Sequence, residues 1–205
     1  MTPNIIFHYK DIPQNLELGS LIAIDTETMG LNLHRDQLCV VQISAGDGTC
    51  HIIQMDRKTY DCPNLKTLFS DPKVTKLFHF ARFDIAAIFH YLGVLCKPIY
   101  CTKIAAKLTR TYTDRHGLKD LCRDLLGIEI SKQMQTSDWG AVKLTEEQLK
   151  YAAIDVFHLH RLKDILDQLL EREQRLELAK ECFEFLPYRA QLDLLNFDQP
   201  DIFTH

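Results

Sequence analysis

Three apolar runs separated by short turns open this chain, and they commit it to a sheet. Leu21-Ile22-Ala23-Ile24 leads directly into Asp25-Thr26-Glu27. Leu38-Cys39-Val40-Val41-Gln42-Ile43-Ser44 follows, and Gly46-Asp47-Gly48 then returns the chain into Cys50-His51-Ile52-Ile53. Apolar, β-branched runs of this length bounded by turn residues read as strands, and a Gly-Asp-Gly link reads as a hairpin. Further on, Asn64 to Phe69 reads as a short helix ended by Asp71-Pro72, and Lys76 to His79 as a fourth strand. Phe83 to Leu92 carries helical periodicity, and Ile99-Tyr100-Cys101 is short enough to add a fifth strand.

Beyond about residue 103 the pattern turns helical. Leu118, Leu121, Cys122, Leu125 and Leu126 recur at helical spacing before Gly127. Thr145-Glu146-Glu147-Gln148 has the form of a capping box, opening one long predicted helix to roughly Leu178. The residues from Phe183 onward are apolar but aperiodic. Strands first and helices later predict an α/β domain, a mixed sheet flanked by helices. The expected organisation is one domain over 1–180 and a tail over 181–205, packed on its own domain or on a neighbour.

Within that frame five polar residues stand where core packing does not call for them. Asp25 and Glu27 end a strand two positions apart, so both carboxylates point to one face. Asp84 lies early in a helix after the fourth predicted strand. Tyr151 and Asp155 are four apart on a helix and share its face, with Ala152 and Ala153 between them allowing close approach. Hard divalent ions take oxygen ligands, and carboxylates are what proteins offer them. Asp25, Glu27, Asp84 and Asp155 are therefore candidate ligands for two ions, Mg²⁺ or Mn²⁺, that clamp the attacking and leaving oxygens of a phosphoryl displacement. Tyr151 is placed to orient the attacking water, because a phenol with an ordinary pKa near 10 is a poor base at neutral pH.

Composition narrows the substrate. The formal net charge is −4, and the cations, such as Arg110, Arg115, Lys119 and Arg123, are scattered. Proteins that grip long nucleic acids along many phosphates carry a basic face, so a short substrate held at its end fits better. Seven cysteines, none spaced C-x-x-C, read as reduced and mostly buried thiols. Met1-Thr2-Pro3-Asn4 lacks a basic region followed by an apolar run, and no stretch reaches the length of a membrane span, so cytoplasm and no membrane partner are expected.

The runs IDTET, HFARFD and YAAID resemble, in order, the three motifs of the DEDDy 3′–5′ exonucleases, the group of ribonuclease D. Gly117-Leu118-Lys119-Asp120-Leu121 and Asp138-Trp139 are similar to that group as well, so the resemblance covers about residues 20–170. It implies an RNase H-like (DnaQ-like) fold and two-metal hydrolysis that releases 5′-mononucleotides from a 3′ end. No helical HRDC-type segment follows residue 180, which turns the expectation from tRNA trimming towards the compact nanoRNase C branch of alphaproteobacteria. That branch implies very short single-stranded RNA as substrate, especially dinucleotides such as pGpG, and a homo-oligomer, a ring such as an octamer.

Thr28 and Met29, in motif I, are candidate substrate contacts. Leu31 either wedges against a terminal base or packs into the core. His79 and Arg82 either meet substrate phosphate or are a satisfied histidine and a salt-bridged arginine. Two other functions share parts of the pattern. A haloacid-dehalogenase-type phosphatase needs Asp-x-Asp, and the second acid here is Glu27. A metal-free RNA-binding scaffold on the same fold would be expected to have lost one of the five residues. Use of nucleoside triphosphates has no G-x-x-x-x-G-K-[ST] loop to support it.

Overall fold

The computed structural model describes residues 2–131, 133–197 and 200–204. Six strands form one mixed sheet: β1 (Asn4–Tyr9), β2 (Leu21–Thr28), β3 (Leu38–Ser44), β4 (Thr49–Gln54), β5 (Thr75–Phe78) and β6 (Ile99–Cys101), in the spatial order β1-β4-β3-β2-β5-β6. The β2-β3-β4 meander is antiparallel, as the hairpin turn predicted. β5 joins β2 and β6 joins β5 in parallel, through crossovers that include α1 (Pro63–Ser70) and α2 (Ala81–Leu92). This is the mixed sheet flanked by helices that the residue pattern called for.

β1 was not expected. It pairs in parallel with β4 at the sheet edge, and its side chains are half-buried or exposed, so no apolar run announces it. The centre of the sheet is the opposite case. Ile22, Ile24, Leu38, Ile43, Ile52 and Ile53 are fully buried, and fully burying an aliphatic side chain contributes about 1.5–3 kcal/mol.

The single long helix predicted from Thr145 to about Leu178 is three elements. The capping box holds: Thr145 Oγ1 accepts from the Gln148 backbone N–H at 3.2 Å, and Gln148 Oε1 accepts from the Thr145 N–H at 2.9 Å. α5 (Glu146–Phe157) then stops at His158, and α6 (Leu159–Arg172) continues, following α3 (Thr102–Thr109) and the short α4 (Leu118–Leu121) with its π-helical extension over Cys122–Leu126. α5 lies on the β2-β3-β4 face, whereas α6 packs against α3, so the chain must bend between them. Gln174, with φ +56°, makes the next turn into α7 (Leu176–Leu194).

α7 spans the expected domain boundary at 180/181 and packs along α2, with Phe183 and Leu186 buried. Its periodicity is masked by Pro187 inside the helix, where the ring removes one backbone donor. Residues 198, 199 and 205 of the expected tail lie outside the described residues. Among the described residues no helix is long and apolar enough to cross a membrane. The cysteines are free thiols, all buried except the half-buried Cys182.

Candidate active site

β2 delivers Asp25 and Glu27 to the sheet face that α5 covers, and α5 delivers Asp155 and Tyr151 to the same place. α5 can sit close because the residues it buries are small: Ala152 and Ala153 are fully buried, and Cys50 Sγ donates to the Ala153 carbonyl at 3.4 Å. Carboxylate oxygens of Asp25, Glu27 and Asp155 thereby lie within 4.8 Å of one another.

Asp84, in the first turn of α2, approaches from the other face of the sheet. Thr26 points to that face and donates its hydroxyl to Asp84 Oδ1 at 2.6 Å, a buried bond that ties motif I to the helix. The preceding residue, Phe80, is in the left-handed region at φ +66°, a conformation that side chains other than glycine adopt only under constraint from their surroundings.

Burial and mutual repulsion raise these acids. Asp25 is pushed up to about 7 by desolvation. Glu27 is pushed up to about 10 by desolvation and then by Asp25, Asp155 and Asp84, and Asp84 is raised well above the ordinary range by burial and Asp25. Carboxylates held this close resist ionising together unless cations sit among them. The donor set is all oxygen, which fits hard divalent ions and not soft ones. Tyr151 is raised above its ordinary value, first by burial and then by Asp155, Glu27 and Asp25, so it stays a neutral phenol near neutral pH.

Nine of the ten sequence candidates, namely Asp25, Glu27, Thr28, Met29, Leu31, His79, Asp84, Tyr151 and Asp155, line one cleft of about 830 Å³. Leu31 is 86% exposed, so it does not pack into the core. The loop that carries it turns at Gly30, where an added Cβ would lie 2.4 Å from Asp36 Oδ2. His79 Nδ1 is 2.9 Å from Thr102 Oγ1, and the Thr102 hydroxyl donates to the Phe78 carbonyl, so the ring nitrogen is the donor.

Arg82 is the exception. Its Nη2 donates to Asp193 Oδ1 at 2.6 Å and its Nε pairs with the other oxygen, so the guanidinium is clamped to α7. It lines a neighbouring cavity of about 290 Å³ instead of the main cleft.

The cleft also contains residues that the motifs did not assign. Trp139 is buried with its ring centroid 6.1 Å from that of Tyr151, and Phe80 carries Lys103 Nζ 3.9 Å above its ring. Asp138-Trp139 stood out in the sequence only through the family resemblance, and Phe80 only as part of HFARFD. Arg57 joins two rims, donating to Met29 Sδ at 3.1 Å and to the Gly140 carbonyl at 2.8 Å.

Fold and site together define an RNase H-like 3′–5′ exonuclease domain. A family model described as 3′–5′ exonuclease matches residues 4–171, and the chain belongs to that family. Ribonuclease D of Gluconacetobacter diazotrophicus is 34% identical over 166 residues, 81% of this chain and 42% of that protein. The chain spans less than half the length of the curated ribonuclease D relatives it first matches. Against solved structures the agreement runs end to end. Brucella melitensis NrnC bound to pGG superimposes with a TM-score of 0.96 at 53% identity, covering 100% of both chains. The same protein with bound Mg²⁺ gives 0.94 at 53% identity, again over 100% of both. NrnC is nanoRNase C, the compact branch of the group whose three motifs this chain resembles.

Proposed function

We propose that this chain degrades very short single-stranded RNA, dinucleotides such as pGpG above all, from the 3′ end to 5′-mononucleotides. The observation that carries the reading is the acidic cluster of Asp25, Glu27 and Asp155, with Asp84 tied in through Thr26, at the floor of one cleft. End-to-end similarity to a protein solved with pGG supports the substrate length. The net charge of −4 supports it too, because a long polyanion would need a more basic surface.

Asp25, Glu27 and Asp155 would hold one divalent ion, and Asp25 with Asp84 a second, Mg²⁺ or Mn²⁺ in each case. Such ions supply Lewis-acid activation of a water and neutralise charge at the scissile phosphate. The chain does the rest. Tyr151 stays protonated and hydrogen-bonds the attacking water, which aims it without removing its proton. Leu31, exposed at the mouth, meets the terminal base, while Thr28, Met29 and His79 line the path of the nucleotide. Arg82 acts on substrate only at one remove, by fixing the start of α2 against Asp193.

The reading includes cytoplasmic action and a homo-oligomer, a ring such as an octamer. Exposed apolar side chains support assembly: Phe185 and Tyr188 on α7, then Leu195, Phe197 and Phe203 beyond it. Light scattering that finds a monomer at micromolar concentration would remove the ring.

The activity is tested on 5′-labelled RNAs of two and about twenty nucleotides, with Mg²⁺, Mn²⁺ or EDTA and an Asp25→Ala control. Metal-dependent loss of the dinucleotide, much faster than trimming of the long strand, is the expected result. Efficient trimming of the long strand that stalls at two nucleotides would replace the substrate with that of a ribonuclease D-like enzyme.

A further inference from the structure

Gln42 is fully buried in the middle of β3, and neither its Oε1 nor its Nε2 has a hydrogen-bond partner among the described residues. It stands directly opposite Asp25 in the β2-β3 ladder and opposite Ile52 in the β3-β4 ladder. Paired residues in an antiparallel ladder share a face, with Cβ atoms about 4.5–5.5 Å apart. The amide therefore lies beside the Asp25 carboxylate, on the face that α5 covers.

An apolar side chain of similar volume would fill this place without leaving an amide unpaired, and a buried unpaired amide is costly. Its neighbours on that face offer little. Val40 and Ile52 have no polar side-chain atoms. The Ser44 hydroxyl donates to the Thr49 carbonyl at 2.7 Å and accepts from the Gly46 N–H at 3.3 Å. Cys50 is engaged with Ala153. Asp25 is the directly opposed group with acceptor capacity to spare, being held on one side by the Thr26 N–H, whereas Glu27 and Gln54 lie one diagonal step further along the ladders. Sealed beneath α5, Gln42 cannot reach a substrate.

We propose that Gln42 is a positioning residue for the metal site: its Nε2–H donates through one ordered water to the Asp25 carboxylate and fixes the orientation in which Asp25 would hold cations. The inference rests on the metal-dependent reading of the site and adds a residue to it. Groups behind metal ligands change metal affinity by about 10–100-fold when removed. A purely structural glutamine would instead stabilise the protein whether or not metal is bound.

Gln42→Leu and Gln42→Met separate the two. Mn²⁺ binding is read from the electron paramagnetic resonance signal of free Mn²⁺, independently of activity, and the melting temperature is read in EDTA. The expected result is Mn²⁺ affinity about 10–100-fold weaker in both variants, with a melting temperature in EDTA equal to or above the wild type. Loss of less than about fivefold in both overturns the proposal, whatever the melting temperatures do. So does a lower melting temperature in EDTA for both, or failure of both to fold, since the amide would then have a partner without metal. If only one variant folds, it decides by the same criteria. Wild-type protein that takes up no Mn²⁺ overturns the metal reading itself, a result distinct from loss in the variants alone.

Discussion

Asp25→Asn keeps the shape of the side chain and removes its charge, and without metal it should make the protein more stable while abolishing activity. Oxygens of Asp25, Glu27 and Asp155 lie within 4.8 Å of one another, and one pair of unit charges at that distance repels by about 3.5 kcal/mol at an effective dielectric of ~20. Burial of the Asp25 carboxyl, which raises it from 3.8 to about 7, is a separate cost of similar size, about 4 kcal/mol at ~1.36 kcal/mol per pH unit.

The sign follows from proton binding. A raised carboxyl pKa means that the folded state binds more protons, so stability is lost as pH rises from about 4 and the loss is complete above about 7. The asparagine variant escapes that loss. In EDTA at pH 8 its melting temperature should exceed the wild type's by roughly 8–16 °C, taking ~2–4 °C per kcal/mol for a chain of this size. The gap should close towards pH 4. In saturating Mg²⁺ the order should invert, because only the wild type gains full ligand-linked stabilisation. Differential scanning calorimetry between pH 4 and 8, with EDTA and with Mg²⁺, measures all of this. A variant that melts below the wild type in EDTA at pH 8, or a gap that does not change with pH, would refute the reasoning.

Four further outcomes are expected. Tyr151→Phe should lower kcat by about 10²-fold and leave Mn²⁺ affinity unchanged, because the phenol orients water and is not a ligand; equal losses in both would contradict that. Leu31→Ala should weaken dinucleotide binding by about tenfold, from loss of ~1.5 kcal/mol of apolar contact, with no change in melting temperature since the side chain is 86% exposed. Asp193→Ala should destabilise by about 1–3 kcal/mol, as it leaves Arg82 and the buried Arg189 without their shared carboxylate, and urea titration reads it. Reducing agent should leave the melting temperature unchanged, since the thiols are free.

How much of this was legible differs by element, for physical reasons. The central strands were readable because β2, β3 and β4 are buried, and burial demands continuous apolar sequence. β1 was hidden because an edge strand needs no such run. The breaks after α5 and α6 carry neither glycine nor proline, so tertiary packing sets them and no local signal announces them. α7 was hidden the other way, with Pro187 arguing against a helix that packing on α2 sustains.

In the site, the paired carboxylates were readable from strand and helix periodicity alone. Asp84 taken alone was ambiguous, since an acid in a first helical turn suits the helix dipole equally well; its place in HFARFD resolved it, and in the structure its bond to Thr26 and its place in the cleft draw it into the cluster. The partner of Arg82 lies 111 positions away on α7, a distance no motif spans. Gln42 looked like one more strand residue, and its unpaired amide shows only once the register sets it beside Asp25.

Hydrolysis of a short RNA by the acid-lined cleft is the central claim, and ¹⁸O transfer reads that chemistry. The dinucleotide pGpG, incubated with the enzyme and Mg²⁺ in H₂¹⁸O and followed by mass spectrometry, should give guanosine 5′-monophosphate as the sole product. One ¹⁸O should enter the phosphate of the nucleotide released from the 3′ side, and no product should form in EDTA or with Asp25→Ala. Unlabelled product, a 3′-phosphorylated product, or turnover that survives EDTA would contradict the assignment of these carboxylates to metal-dependent 3′–5′ hydrolysis.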